Sequence, residues 1–102
     1  MPNKNFRKGT AFESRFLAKL IADGKAVKGA RFYASRGITD LWWVDKAGAH
    51  HEAQLKFSSV AEPYISPTEL TTLKEFAEEM GGIIKVWLVK KQSRKKIFME
   101  RV

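Results

Sequence analysis

The segment from residue 66 to residue 82 carries the strongest local structural signal in the sequence. Ser-Pro-Thr-Glu at residues 66–69 combines a favoured N-cap, proline at the first helical position and the glutamate of a capping box. The glycine pair at residues 81–82 is typical of a helix end. Apolar-rich runs stand on both sides, at residues 51–57 and 83–89. A strand, a helix and a strand in this order predict a right-handed parallel crossover.

The rest of the chain predicts one more helix and three more strands. Residues 10–23 match a helix, because Thr10 and Glu13 form a capping-box pattern and apolar residues recur at helical spacing. The further strands are predicted at residues 26–34, 39–44 and 96–102. The resulting order α-β-β-β-α-β-β predicts an α/β fold in which helices flank a mixed central sheet. A chain of 102 residues fits one domain, with a basic arm at residues 1–9.

The charge of the chain indicates an anionic partner. Nineteen lysines and arginines against eleven acidic residues give a formal net charge of +8. Such a field favours nucleic acid first and an acidic membrane surface second, whereas a role in solubility alone is the plainer interpretation. There is no cysteine and no apolar N-terminal segment of the kind found in signal peptides. We therefore expect a cytoplasmic protein, possibly virus-encoded and acting inside its host, with no membrane partner.

An acidic residue and a lysine-containing element are spaced as in metal-dependent phosphodiesterase sites. Asp40 ends a Gly-Ile-Thr-Asp turn at the start of the predicted strand 39–44, and Gln54-Leu55-Lys56 lies in the next strand. Because side chains alternate along a strand, Glu52, Gln54 and Lys56 share one face. Asp40 starts the neighbouring hairpin strand and can approach them across the ladder. A turn-capping aspartate beside a solvated strand face is the simpler alternative.

These residue types suit a hard cation and hydrolysis of a phosphodiester. Mg²⁺ prefers carboxylate, carbonyl and water oxygens, and when bound it polarises a phosphoryl oxygen. Asp40 supplies a carboxylate, Gln54 an amide oxygen and Leu55 a main-chain carbonyl. Lys56 could orient the attacking water or offset charge at phosphorus. Glu13 could complete the ligand set directly or through water.

Several segments together resemble the archaeal-type Holliday junction resolvases of the PD-(D/E)XK nuclease superfamily. Residues 7–13 resemble the family's Arg-Lys-Gly-x-x-x-Glu start, and residues 31–40 resemble its Arg, Ser, Gly and Asp segment. Residues 54–56 fall on its Glu-x-Lys element, and the capped helix that follows Tyr64 resembles its next block. The likeness covers about residues 6 to 90. It implies a restriction-endonuclease-like fold with a PD-(D/E)XK core.

The resemblance implies a homodimeric, Mg²⁺-dependent endonuclease that recognises four-way DNA junctions by shape and makes paired nicks. Mn²⁺ is a possible substitute for the metal. The catalytic residues implied are Glu13, Asp40 and Lys56, with Gln54 in the second metal-ligand place. Resemblance and the clustering of basic residues together predict a DNA-binding set of Arg7, Lys8, Arg31, Ser35, Arg36, Lys90 and Lys91.

Gln54 is the main departure, because the family has a glutamate at this place. One carboxylate fewer should weaken Mg²⁺ binding, and Glu52 on the same face is a candidate to compensate for it. Two alternatives to the resolvase interpretation therefore stay open. The first is a junction-DNA-binding module with weak or absent catalysis, and the second is another PD-(D/E)XK nuclease that acts on flaps or duplex ends.

Overall fold

The computed structural model describes the backbone of residues 4–32 and 38–102 and the side chains of residues 11–32 and 38–102. Its elements, in chain order, are α1 (Lys4–Ala22), β1 (Lys28–Arg31), β2 (Leu41–Val44), β3 (His50–Ser58), α2 (Pro67–Met80), β4 (Ile84–Gln92) and β5 (Phe98–Arg101). This order confirms the predicted α-β-β-β-α-β-β arrangement. Neither helix, over the part described, is long and apolar enough to cross a membrane.

The five strands form one mixed sheet in the order β1-β2-β3-β4-β5. β3 and β4 are parallel and are joined by α2, so the predicted crossover is confirmed. All other neighbouring strands pair antiparallel. β2 and β3 form the predicted hairpin, whose turn is closed by Asp45: its carboxylate accepts hydrogen bonds from the amides of Ala47 and Ala49 at 2.9 and 3.0 Å.

α2 begins and ends where its capping residues predict. The Ser66 hydroxyl accepts a hydrogen bond from the Glu69 amide at 3.1 Å, and the Glu69 carboxylate accepts one from the Ser66 amide at 3.4 Å. Gly81 ends the helix at a φ of 55°, in the left-handed region that glycine enters at little cost. The N-terminus of α2 is thereby fixed at the end of the sheet where β3 finishes.

α1 begins earlier than the sequence predicts, at Lys4 rather than at residue 10. Thr10 is therefore an interior residue and not an N-cap, and Glu13 does not lie in the first turn. The physical reason is that residues 4–8 contain no helix breaker. A single interior glycine, Gly9, costs only about 1 kcal/mol and does not stop a helix that continues on both sides. Residues 4–9, predicted as a basic arm, belong to α1.

The helices pack on opposite faces of the sheet and bury two apolar layers. The layer under α1 is the larger and is rich in aromatic side chains: Phe12, Phe16, Leu20, Leu41, Trp43, Ala53, Leu55 and Val89. The layer under α2 consists of Leu73, Val86 and Leu88 with partly buried neighbours. Trp43 is buried while Trp42 is half-buried and stacks on His50, so the two adjacent tryptophans lie on opposite faces of β2.

Gly29 in β1 marks the closest approach of the sheet to α1. A Cβ at this position would lie 2.5 Å from the carbonyl oxygen of Trp42 and 2.8 Å from Cδ1 of Leu17. Because the carbonyl belongs to the neighbouring strand, the clash cannot be relieved by a side-chain rotation. We expect Gly29→Ala to lower the free energy of unfolding by about 1–3 kcal/mol, the usual cost of overpacking.

Chemical denaturation measures this effect, with Lys28→Ala as the matched control. Lys28 is the preceding, exposed residue of β1, and its truncation should change the unfolding free energy by less than about 0.5 kcal/mol. Equal stabilities for Gly29→Ala and the parent would contradict the close packing of β1, β2 and α1.

Candidate active site

Asp40 lies immediately before β2 and is fixed by main-chain hydrogen bonds to both neighbouring strands. Its amide donates to the carbonyl of Ala53 at 2.8 Å, and its carbonyl accepts from the amide of Phe32 at 2.9 Å. Leu41 pairs with Ala53 in the β2–β3 ladder. The ladder ends at this pair, and Asp40 lies one residue beyond it, beside the part of β3 that carries Gln54 and Leu55. The approach of Asp40 to Gln54 and Lys56 across the ladder stays a prediction.

The Asp40 carboxylate is held against the backbone of β3. Its Oδ2 accepts a hydrogen bond from the amide of Leu55 at 2.7 Å. The pKa of Asp40 is raised from 3.8 to about 6. Burial is the main cause, and the negative charges of Glu13 and Glu69 add to it, against the lowering effects of the Leu55 amide and Lys56. Burial therefore disfavours the ionised carboxylate, and a bound cation would favour it.

The strand β3 alternates as expected, with Ala53 and Leu55 buried and Gln54 and Lys56 half-buried on the other face. Lys56 reaches α2 on that face. Its ammonium donates to Glu69 Oε2 at 2.5 Å, and this contact lowers the pKa of Glu69. Lys56 is thus held by the same carboxylate that caps α2.

Glu13 is presented from α1 and is paired with Arg31 at the end of β1. Arg31 Nε donates to Glu13 Oε1 at 3.0 Å. Because the charge of Glu13 contributes to the raised pKa of Asp40, the two carboxylates lie within electrostatic reach. The pair with Arg31 offsets part of the charge that Glu13 could offer to a metal.

Glu52 is occupied elsewhere on the same face of β3. The hydroxyl of buried Thr39 donates to Glu52 Oε1 at 2.5 Å, and His50 Nε2 lies 3.7 Å from Glu52 Oε2. In this arrangement Glu52 supports the turn before β2, and it lies one pleat repeat, about 7 Å, from Gln54 along the strand. Compensation for Gln54 by Glu52 therefore requires a rearrangement of these contacts.

The oxygen atoms near Asp40 suit a hard cation that also takes ligands from water and substrate, because the protein supplies only part of the coordination shell. Across the residues whose side chains are described, no three His, Cys, Asp or Glu side chains are grouped so that they could hold a metal. Asp40 offers one carboxylate, Gln54 an amide oxygen, and Leu55 a main-chain carbonyl. Mg²⁺ commonly takes one or two carboxylates and fills its remaining positions with water and substrate phosphate. The residues present fit Mg²⁺ or Mn²⁺ in this mode.

The predicted DNA-binding residues are distributed unevenly over the structure. Ser35 and Arg36 lie outside the described residues, as do the side chains of Arg7 and Lys8. Arg31 borders the site through its pair with Glu13. Lys90 pairs with Lys56 in the β3–β4 ladder and shares its face. Lys91 points to the opposite face, and its ammonium donates to the carbonyls of Gln92, at 3.0 Å, and Lys95.

Glu69 is the site residue that the sequence analysis recognised only as part of a capping box. It is thirteen residues from Lys56, too far for a local pattern to pair them. The predicted topology nevertheless implies that the two residues are close. In a right-handed crossover the helix begins near the end of the sheet where the preceding strand finishes, so the first turn of α2 lies near Lys56.

The mixed sheet places the candidate site residues at the β2–β3 hairpin, and a crossover helix joins β3 to the parallel strand β4. No protein-family model and no curated protein matches the sequence significantly. Among solved structures, the chain is similar to Hjc, a Holliday junction resolvase from the archaeal hyperthermophile Archaeoglobus fulgidus. The TM-score is 0.70 at 23% sequence identity, over 92% of this chain and 72% of that one. This similarity confirms the predicted fold class.

Proposed function

We propose that this protein is a metal-dependent DNA endonuclease that resolves four-way junctions or closely related branched DNA. The observation that carries the proposal is the position of Asp40, whose carboxylate accepts a hydrogen bond from the Leu55 amide of β3 between Gln54 and Lys56, two residues that share one face of that strand. The similarity to the Archaeoglobus resolvase supports the choice of substrate, and the net charge of +8 supports an anionic partner.

Each residue of the site has a proposed part in the reaction. Asp40, the Gln54 amide oxygen and the Leu55 carbonyl hold Mg²⁺ or Mn²⁺, with Glu13 as a further ligand directly or through water. When bound, the ion polarises the phosphoryl oxygen and lowers the pKa of a water. Lys56 orients that water or offsets the charge that develops at phosphorus. Glu69 holds the ammonium of Lys56 in place.

A homodimer is the assembly that suits this reaction. Paired nicks in a two-fold symmetric junction require two active sites related by the same symmetry, which an isologous dimer provides. Analytical ultracentrifugation at micromolar concentration tests this part of the proposal separately, and a monomer that binds junctions one at a time would contradict it.

A parallel cleavage assay tests the substrate class. Labelled four-way junction, flap and linear duplex are incubated with the protein in Mg²⁺, in Mn²⁺ and in EDTA, and the identically prepared Asp40→Asn protein controls for contaminating nuclease. We expect metal-dependent paired nicks in the junction and little cleavage of the duplex. Faster cleavage of flaps or duplex ends would favour a different nuclease of the same fold. Tight junction binding without cleavage in either metal would favour the binding module.

Gln54→Glu tests the part assigned to the glutamine. A second carboxylate opposite Asp40 should tighten Mn²⁺ and Mg²⁺ binding by about tenfold or more, because carboxylate count tunes affinity for hard cations. Isothermal titration calorimetry of the DNA-free protein measures this affinity independently of cleavage. Gln92→Glu, the same change at the far end of β4, should leave the metal affinity unchanged. Equal affinities in the parent and Gln54→Glu would place Gln54 outside the metal site.

A further inference from the structure

A groove beside the catalytic face combines lysine side chains with an exposed aromatic ring. Its volume is about 500 Å³, and we call it the lysine groove. The lining residues that could contact a ligand's charges or its bases are Glu62, Lys90, Lys95, Lys96, Phe98 and Glu100. Phe98 lies on the edge strand β5 with 53% of its surface exposed. The groove thus offers ammonium groups and one accessible phenyl ring to a ligand.

The strand register connects the lysine groove to the active site. Lys56 pairs with Lys90 across β3 and β4, and Lys90 pairs with Phe98 across β4 and β5. Directly opposite residues share a face, so the three side chains form a row on the side of the sheet that carries Gln54. Two strand spacings make this row about 10 Å long, which equals roughly three base rises along a strand of B-form DNA. A nucleic-acid strand held at Lys56 therefore reaches the ring of Phe98.

The turn that carries the lysines is fixed by its own hydrogen bonds. The Lys95 amide donates to the Gln92 carbonyl at 3.0 Å, and the Ser93 amide donates to the Ser58 carbonyl at the end of β3 at 2.9 Å. The ammonium of Lys91 donates to the carbonyls of Gln92 and Lys95 from the other face. Lys95 and Lys96 consequently project from a closed turn, which lowers the entropy lost when they bind a ligand.

The chemistry of the lysine groove selects among possible occupants. Three ammonium groups disfavour an apolar partner and favour phosphate, while the phenyl ring offers a face on which a base can stack. Glu62 and Glu100 also line the groove and repel phosphate, so a phosphate is favoured only where it contacts the lysine ammonium groups. Bases inside a duplex are stacked on each other and present no free face. The matching ligand is a nucleotide whose base is unpaired.

We propose that the lysine groove binds an unpaired nucleotide of the branched DNA, with its phosphate on Lys90 and Lys96 and its base stacked on Phe98. This proposal rests on the proposed function, and it specifies which part of a junction substrate is recognised: a base released at the branch point. Shape recognition through phosphates alone does not require such a ring.

Binding in EDTA tests the groove without any dependence on cleavage. We expect Phe98→Ala to weaken binding of a short oligo-dT strand about 5- to 100-fold, the effect of losing one stacked base, and to leave binding of blunt duplex within twofold of the parent. Phe98→Trp should retain binding, and Phe98→Leu, which keeps apolar bulk on β5, should lose it. Ile83→Ala is the control, since Ile83 is 82% exposed and lies at the opposite end of β4. This variant should bind oligo-dT and blunt duplex with the affinities of the parent.

Salt titration and a fluorescent base complete the test. Lys90→Gln should reduce the slope of log affinity against log salt by about one unit, whereas Phe98→Leu should leave the slope unchanged. A 2-aminopurine at the branch point should be quenched on binding to the parent and not to Phe98→Leu. Oligo-dT binding by Phe98→Leu within twofold of the parent overturns the proposal. A parent that binds through Phe98 but cleaves nothing would refute the nuclease function alone.

Discussion

Asp40→Asn is expected to make the metal-free protein more stable at about pH 8 while reducing DNA cleavage on the order of 10³-fold. The stability gain follows from the raised pKa of Asp40, about 6 against an ordinary 3.8, which burial causes first and the charges of Glu13 and Glu69 increase. An ionised Asp40 therefore costs folding free energy. Asparagine removes the charge, and its amide oxygen can still accept the hydrogen bond from the Leu55 amide.

The pH dependence of this gain has a definite sign. The folded state favours the neutral carboxyl of Asp40, and the stability that this gives is fully present below pH 3.8 and lost as the pH rises through about 6. The difference between Asp40→Asn and the parent should be near zero at the acidic end of this window. It should reach a plateau of about 1–3 kcal/mol above the window.

Denaturant titrations in EDTA over a pH series measure the gain, and Asp45→Asn provides the opposite control. Hydrogen bonds from His51 and from the amide of Ala49 lower the pKa of Asp45, so its ionised form stabilises the fold. Asp45→Asn should be less stable than the parent at neutral pH, and the deficit should shrink as the pH falls. An Asp40→Asn protein that is less stable than the parent at about pH 8 would contradict the environment described for Asp40.

Mg²⁺ should reverse the ranking of the parent and Asp40→Asn. A ligand that binds only the folded state adds RT ln(1 + [L]/Kd) to stability, so added Mg²⁺ should stabilise the parent and leave Asp40→Asn unchanged. The ionised carboxylate of Asp40 would then destabilise the metal-free fold and would be stabilised by the bound cation. Functional residues commonly lower stability in this way.

The parts of the fold that could be predicted from the sequence are those fixed by local chemistry. Ser66, Pro67 and Gly81 carry conformational preferences that act over a few residues, so both ends of α2 followed from them. The alternation of β3 followed from the pleat, and it placed Gln54 and Lys56 together on one face. The position of Asp40 beside β3 needed only a short hairpin between β2 and β3.

The parts that could not be predicted depend on contacts between distant segments. Thr10 and Glu13 match a capping box. The pattern does not tell whether the residues before Thr10 are also helical, and in α1 they are, from Lys4 onward. The Arg31–Glu13 pair depends on how α1 lies on β1. The Lys56–Glu69 pair depends on where the crossover returns the chain. Glu69 has two partners, Ser66 and Lys56. Only the contact with the nearby Ser66 can be recognised from the local sequence pattern.

Glu69→Gln is expected to reduce the cleavage rate of a saturated enzyme about 10- to 100-fold while leaving the fold intact. The carboxylate of Glu69 has two contacts, with Lys56 Nζ at 2.5 Å and with the Ser66 amide at 3.4 Å. Glutamine also serves at this position of a capping box, so α2 should keep its start. Only the charge-assisted hold on Lys56 is lost, and a misplaced catalytic group costs rate rather than substrate affinity.

Lys56→Met gives the largest loss of rate that can be expected from Glu69→Gln, because it removes the ammonium that Glu69 holds. We expect a loss of about 10²–10⁴-fold in kcat, the range for a group that handles a proton or developing charge. Glu75→Gln is the matched control for Glu69→Gln, since it removes one exposed carboxylate from the same helix and should leave both kcat and KM unchanged. Unfolding free energies of Glu69→Gln and the parent should agree within about 0.5 kcal/mol, as is usual for an exposed ion pair.

The direction of the Glu69→Gln effect distinguishes two physical roles for the ion pair. If Glu69 positions Lys56 for the reaction, its removal lowers kcat, leaves KM unchanged and has no further effect in the Lys56→Met background, since both changes act through the same ammonium. If Glu69 instead withholds Lys56 until DNA binds, its removal raises the cleavage rate. We expect the first result, because the capping box fixes Glu69 at the end of β3 and a group fixed in this way orients its partner at no further entropic cost. Faster cleavage by Glu69→Gln than by the parent would overturn the positioning role.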